Sequence, residues 1–130
     1  MSAHDSPAVA VALTHIDALG RQDWETTRAL LAPDVHALVT TTQPEYGDSE
    51  FSGVDEYMAR KTKAARLIEP GRVWVVSAQG DEVNALVMVT MKIGVGPGGS
   101  MLTLARACLY SLGENRRITQ ERDVFVVLSE

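Results

Sequence analysis

The chain has a single cysteine, no long apolar run and no dense basic block, and each absence closes off a class of protein. Cys108 alone cannot form an internal disulfide, so packing must hold the fold. A membrane-spanning helix needs roughly 20 apolar residues, and the apolar runs here, such as Ala85 to Val89, are far shorter. Met1 to Asp5 is short and polar, unlike a secretory leader. A cytoplasmic protein without a membrane span is the expectation. The formal net charge of −5 argues against a phosphate backbone as partner, because that contact depends on clustered Lys and Arg. The richest basic stretch, Arg60, Lys61, Lys63 and Arg66, lies between Asp55, Glu56 and Glu69 and reads as a solvated helix face. Neither nucleic acid nor membrane is expected.

Two further motifs fail on context. His4, His15 and His36 have no metal-ligand spacing with one another or with Cys108, so no metal is expected. Gly94, Gly96 and Gly99 match G-x-G-x-x-G literally. A dinucleotide fingerprint must open a helix, whereas Pro97 and the strand after it make this a hairpin loop, so no cofactor is expected.

What is present is globular: 45% apolar and 22% charged residues in 130, the length of one domain, 1–130. Such a chain removes roughly two-thirds of its unfolded surface from water on folding. Ser6-Pro7 opens a helix with a capping hydroxyl and a proline where no N–H is needed. Val9, Ala12, Leu13, Ile16 and Leu19 continue it at helical spacing, and Gly20 supplies a left-handed stop. Asp23 caps a second helix with Trp24, Thr27, Leu30 and Leu31 on its inner face, ended by Pro33. Val35 to Thr41 reads as a strand and Thr42 to Phe51 as a long loop. Ser52 and Asp55 have capping-box spacing for a third helix, whose stripe is Val54, Tyr57, Met58, Lys61, Ala65 and Ile68 until Pro70-Gly71.

From Arg72 onward turn signals separate four long strands, approximately 72–79, 83–93, 101–112 and 116–128. Consecutive apolar residues, as in Val73 to Val76 and Leu86 to Val89, imply that both sheet faces are covered. The helices can cover one face, and a second copy of the sheet in a homodimer is the simplest cover for the other.

Gln22-Asp23-Trp24 before a helix ending Leu30-Leu31-Ala32-Pro33-Asp34-Val35, the Ser52-Gly53 entry to the third helix, and Ile118 to Asp123 on the last strand together resemble the nuclear transport factor 2-like superfamily. Within it, the resemblance is to the SnoaL-like, polyketide cyclase-like branch. The resemblance implies an α+β fold, three N-terminal helices on a strongly curved, mainly antiparallel sheet forming a cone-shaped barrel. It also implies a hydrophobic pocket between the helices and the concave face.

By that resemblance the last strand turns Glu121, Asp123 and Phe125 inward, the strand before it turns Leu104, Arg106, Cys108 and Tyr110 inward, and His15 looks in from the first helix, with Trp24, Tyr57 and Met58 as further lining. Asp123 falls where such cyclases carry an acid/base aspartate, and apolar walls would raise its pKa. It could equally be locked to Arg106 in an ion pair that does no chemistry. Glu121 shares its face, either as a second carboxyl of the site or as a solvated strand end. Arg106 would hold a carboxylate or enolate, or neutralise Asp123. Tyr110 and His15 could donate to an oxyanion or simply pack, and Cys108, inward-facing lining, reads as a buried structural thiol rather than a nucleophile, because no histidine is near it in sequence.

The chain departs from the ketosteroid isomerase pattern, with Val39 where the general base would stand and Cys108 at the acidic donor's place. Cys108 also interrupts the aspartate, arginine, aspartate relay of limonene-type epoxide hydrolases. The expectation is a cofactor-free lyase, isomerase or cyclase working by proton transfer on a small hydrophobic carbonyl compound. The alternatives are a non-catalytic carrier of an apolar ligand and a dimeric protein-interaction module.

Overall fold

The computed structural model describes residues 5–66, 68–95 and 100–129. Helix α1 (Pro7–Arg21) starts as its sequence requires: Ser6 Oγ accepts from Val9 N–H and donates to the Asp81 carbonyl, tying the helix start to the sheet. Its left-handed stop is Gln22 (φ 59°) and not Gly20, which lies inside the helix against Val73. Helix α2 (Trp24–Ala29) is capped by Asp23 as expected, but it ends before Pro33. Strand β1 (Leu31–Thr41) begins first, and Pro33 falls between Leu31 and His36, where the ladder to the last strand is interrupted and no amide is needed.

The expected loop 42–51 contains the short strand β2 (Ser49–Ser52), which pairs antiparallel with β1 through His36 to Val39. Helix α3 (Val54–Ala65) follows, so the third helix is not grouped with the first two but comes after two strands. Its cap is Gly53, at φ 88°, rather than a Ser52–Asp55 box, and Gly53 N–H donates to the Val35 carbonyl. The helix stops at Ala65, well before Pro70, and Ile68 already belongs to the next strand.

Strands β3 (Ile68–Gly80), β4 (Asn84–Val95), β5 (Ser100–Leu112) and β6 (Ile118–Ser129) form the expected antiparallel meander. Gly96, Pro97 and Gly99, read from sequence as a hairpin loop, lie outside the described residues, and β4 and β5 on either side pair antiparallel. Sheet order is β2-β1-β6-β5-β4-β3, with β1 parallel to β6, so the sheet is open along β2 and β3 rather than a closed barrel. Register shifts in three ladders bend it.

Alternation along the strands puts the core on one face. Ala85, Val87, Val89 and Met91 on β4, and Leu102, Leu104, Cys108, Tyr110 and Leu112 on β5, are buried on the face that α1 packs across, while α3 packs on β1 and β2. The outer face carries Trp74, Met88, Leu109, Val124, Val126 and Leu128, all exposed. No helix among the described residues is long and apolar enough to cross a membrane.

Candidate functional site

The strand register brings the polar side chains together. Cys108 lies opposite Asp123, Tyr110 opposite Glu121 and Arg106 opposite Phe125, which makes Arg106 and Asp123 diagonal neighbours on the concave face. Arg106 Nη2 donates to Asp123 Oδ2 at 2.5 Å, and Glu121 Oε2 is 3.9 Å from the same nitrogen. Helix α3 adds a cation that the sequence reading placed in solvent. Lys61 is 9% exposed, and its ammonium donates to Glu121 Oε2 at 2.9 Å and sits 3.7 Å from Asp123 Oδ2. The solvated-face reading of the basic quartet is therefore wrong for Lys61. The signal was its position in the apolar stripe, one turn from Tyr57, Met58 and Ala65.

Glu121 is likewise no solvated strand end: it is 1% exposed. Tyr57 Oη donates to Glu121 Oε1 at 2.5 Å, and the Tyr57 oxygen is 3.1 Å from His15 Nε2, while His15 Nδ1 is 3.2 Å from Tyr110 Oη. An ionised carboxylate only accepts, so the Tyr57 proton belongs to Glu121. Its oxygen must then accept from His15 Nε2–H, which leaves Nδ1 to accept from the Tyr110 hydroxyl. The histidine is thereby fixed in its Nε2–H tautomer.

Burial dominates the titration of these groups. It pushes His15 down to about 4, so the ring is neutral at ordinary pH. It pushes the hydroxyls of Tyr57 and Tyr110 and the thiol of Cys108 up. For Arg106 burial works against the charge, but the Asp123 carboxylate overrides it and the guanidinium is held above its usual value. The two carboxyls diverge. Burial would raise Glu121, yet Lys61 and the groups around it hold it well below the usual range. Asp123 is raised to about 7 by burial, with Arg106 opposing and the Glu121 charge adding to the rise. Asp123 Oδ1 is buried with no hydrogen-bond partner among the described residues, a situation far less costly for a neutral carboxyl than for a carboxylate.

A cavity of about 210 Å³ adjoins this cluster, walled by Val39, Phe51, Val73, Val89 and Met91 and reaching Arg106, Cys108, Tyr110, Glu121 and Lys61. Arg60, exposed on α3, also lines it. Of the residues expected inside, Arg106, Glu121, Cys108 and Tyr110 do line the cavity. Asp123 faces inward but lies behind this wall, and His15 and Tyr57 stand behind it as hydrogen-bond partners of the residues that line it. Trp24, Met58 and Phe125 are packing residues: Met58 is buried in the core, Trp24 packs against it half-buried, and Phe125 meets Tyr46 edge-on. No group of three or more His, Cys, Asp and Glu among the described residues is placed to hold a metal ion.

The model of the SnoaL-like domain matches residues 12–121, the span from α1 to Glu121. The chain belongs to the SnoaL-like family. This SnoaL-like domain has the same fold as many solved structures. A protein from Kribbella flavida DSM 17836 superposes with a TM-score of 0.72 at 23% identity, over 90% of this chain and 84% of that one. A protein from Jannaschia sp. CCS1, provisionally described as a SnoaL-like polyketide cyclase, gives 0.74 at 16% identity over 92% and 85%. A second Kribbella flavida protein, provisionally described as a ketosteroid isomerase, gives 0.70 at 21% over 95% and 81%. At these identities the likeness is one of fold. Among curated protein sequences none matches this chain.

Proposed function

We propose that this SnoaL-like domain catalyses cofactor-free proton transfer at a carbon next to a carbonyl, as an isomerase, lyase or cyclase acting on a small hydrophobic compound. One observation carries the reading. In a buried cluster where Glu121 is held ionised, His15 is held neutral, and Tyr57, Tyr110 and Cys108 are held protonated, Asp123 is the group brought to about 7. It can therefore both take and return a proton near neutral pH. With Oδ2 engaged by Arg106, Oδ1 is the oxygen free to carry the proton, and because it is buried behind the cavity surface, exchange with a bound molecule requires the Asp123 side chain to turn toward the cavity. Arg106 and Lys61 supply positive charge where an enolate oxygen would form, and the apolar walls strengthen that interaction by excluding water. Tyr57 and His15 position Glu121, and Glu121 in turn fixes Lys61.

The test is deuterium exchange at the α-carbon of small cyclic ketones and keto acids, followed by proton NMR. The protein should accelerate exchange for at least one compound, and Asp123→Asn should abolish the acceleration. Exchange undiminished in that variant would end this mechanism. A second reading, a carrier that binds such a molecule without turning it over, is favoured by the position of Asp123 behind the cavity surface. It predicts binding with no exchange at all.

The same reading includes a homodimer formed through the outer sheet face. Trp74, Val124, Val126 and Leu128 are 44%, 48%, 38% and 59% exposed there, an apolar surface of the kind that marks an interface. A cytoplasmic location goes with it, supported by the buried free thiol of Cys108.

A further inference from the structure

The donors of Lys61, which is buried, and of Arg106, which is partly buried, exceed the acceptors the protein gives them. Arg106 presents a planar fork of N–H groups, of which only Nη2 has an acceptor among the described residues, Asp123 Oδ2. Lys61 gives one N–H to Glu121, while its 3.7 Å separation from Asp123 is a charge contact and too long for a hydrogen bond. Both cations line the cavity, Arg60 adds a third, and the rest of the wall is Val39, Phe51, Val73, Val89 and Met91. With both carboxyls ionised, the charges of Lys61, Arg106, Glu121 and Asp123 cancel. With a proton on Asp123, two cations face one anion and the cluster carries a single positive charge.

We infer that the cavity takes a small organic monoanion, its carboxylate seated on Arg106 and Lys61 and its apolar body against Val39, Phe51, Val73 and Met91, and that it binds together with one proton held on Asp123. The inference rests on the proton-transfer reading of the site and names the substrate class for it: in the complex the protonated Asp123 is the resting form, and the ionised minority, which grows with pH, is the form that takes the α-proton. A volume of about 210 Å³ is below the roughly 300–1,000 Å³ of pockets for drug-sized ligands, so the occupant is a single-ring or short-chain acid. Its charge is offset by the guanidinium fork, which matches a carboxylate in two parallel hydrogen bonds.

Coupling to a proton follows from the surroundings of Asp123. The charged and titratable groups around it are Arg106, Cys108 and Tyr110 from β5, Glu121 from β6, and Lys61 and Tyr57 from α3, with His15 of α1 reaching Glu121 through Tyr57. Of the carboxyl, tyrosine, thiol and imidazole groups among these, Asp123 is the one placed to change charge between pH 6 and 9. An added anion favours its protonated form, so affinity must fall as pH rises past that transition, approaching about tenfold per pH unit.

Calorimetric titration of the full chain with benzoate and with its neutral isostere benzamide, from pH 6 to 9, tests this. Benzoate should bind at least about tenfold more tightly at pH 6, lose affinity with rising pH, and take up a proton, seen as heats that depend on the buffer. Asp123→Asn, isosteric and permanently neutral, should keep benzoate binding and flatten its pH dependence; Arg106→Lys should weaken it at every pH. Equal affinity for the two compounds, no benzoate binding at millimolar concentration, or a pH-independent benzoate affinity in the wild type would each overturn the inference. Binding that behaves as described without α-carbon exchange would defeat the proposed catalysis and leave this inference standing.

Discussion

Lys61 and Glu121, 60 residues apart in sequence, meet at 2.9 Å in a site where their side chains are 11% and 2% exposed. A buried pair of this kind owes its importance to what happens when one partner is lost. Removing Lys61 leaves a carboxylate in the interior held by Tyr57 Oη and a distant guanidinium. Lys61→Met should therefore cost about 3–5 kcal/mol. The double variant Lys61→Met/Glu121→Gln should recover most of that. Urea unfolding of the three proteins measures both, and a double variant no more stable than the single one would show that the ion pair is not what the lysine provides.

The hydrogen-bond chain from Tyr110 through His15 and Tyr57 to Glu121 makes a second prediction. Tyr57→Phe removes the donor to Glu121 Oε1 and the acceptor of His15 Nε2–H in one step. It should destabilise the protein by about 1–3 kcal/mol. It should also release the His15 tautomer, which nitrogen-15 NMR of the ring reads as a move away from pure Nε2–H. An unchanged tautomer would mean that the ring is held by something other than Tyr57.

Two groups should act on stability in opposite senses below neutrality. His15 has its pKa lowered from 6.5 to about 4, so the stability it contributes is present above 6.5 and is lost as pH falls toward 4, by roughly 3 kcal/mol at about 1.4 kcal/mol per unit. Asp123 is raised from 3.8 to about 7, so its contribution is present below 3.8 and is lost as pH rises through 7. Asp123→Asn should therefore gain on the wild type by a few kcal/mol between pH 4 and 8. A constant difference between the two proteins across that range, in denaturant titrations, would contradict the raised value.

The outer sheet face supplies a prediction independent of the site. Val126, 38% exposed, sits in register with Ala105 on β5, which pairs in turn with Thr90 on β4, in the middle of the exposed apolar surface. Val126→Lys should convert a dimer of twice 14.1 kDa into a monomer in sedimentation equilibrium at micromolar concentration, with the fold intact by circular dichroism. A wild-type protein that is already monomeric there removes the dimer.

Much of this architecture was legible in the residues. The Ser6-Pro7 helix start, the Asp23 cap and the four-strand meander from Arg72 follow from turn chemistry and apolar spacing, though its first strand begins earlier, at Ile68, and the inward set Leu104, Arg106, Cys108 and Tyr110 follows from alternation once the fold was recognised. Strand β2 was not legible, because four residues with Phe51 as their one buried apolar side chain carry no periodic signal. Its existence depends on pairing with β1, a tertiary fact. Pro33 misled because a proline that ends a helix and one that sits in an interrupted ladder look alike in sequence. Lys61 was misread for a related reason: charge count suggested solvent, and only the carboxylates of β6 across the cavity make its burial tolerable.

The central claim is that one buried carboxyl holds an exchangeable proton at neutral pH while its neighbour does not. Carbon-13 NMR of the side-chain carboxyls, titrated from pH 3 to 9 and assigned with Asp123→Asn and Glu121→Gln, tests it most directly. The account predicts that the Asp123 signal moves with a midpoint near 7 and that the Glu121 signal remains ionised throughout the range above pH 4. Both signals fully ionised by pH 5 would contradict it.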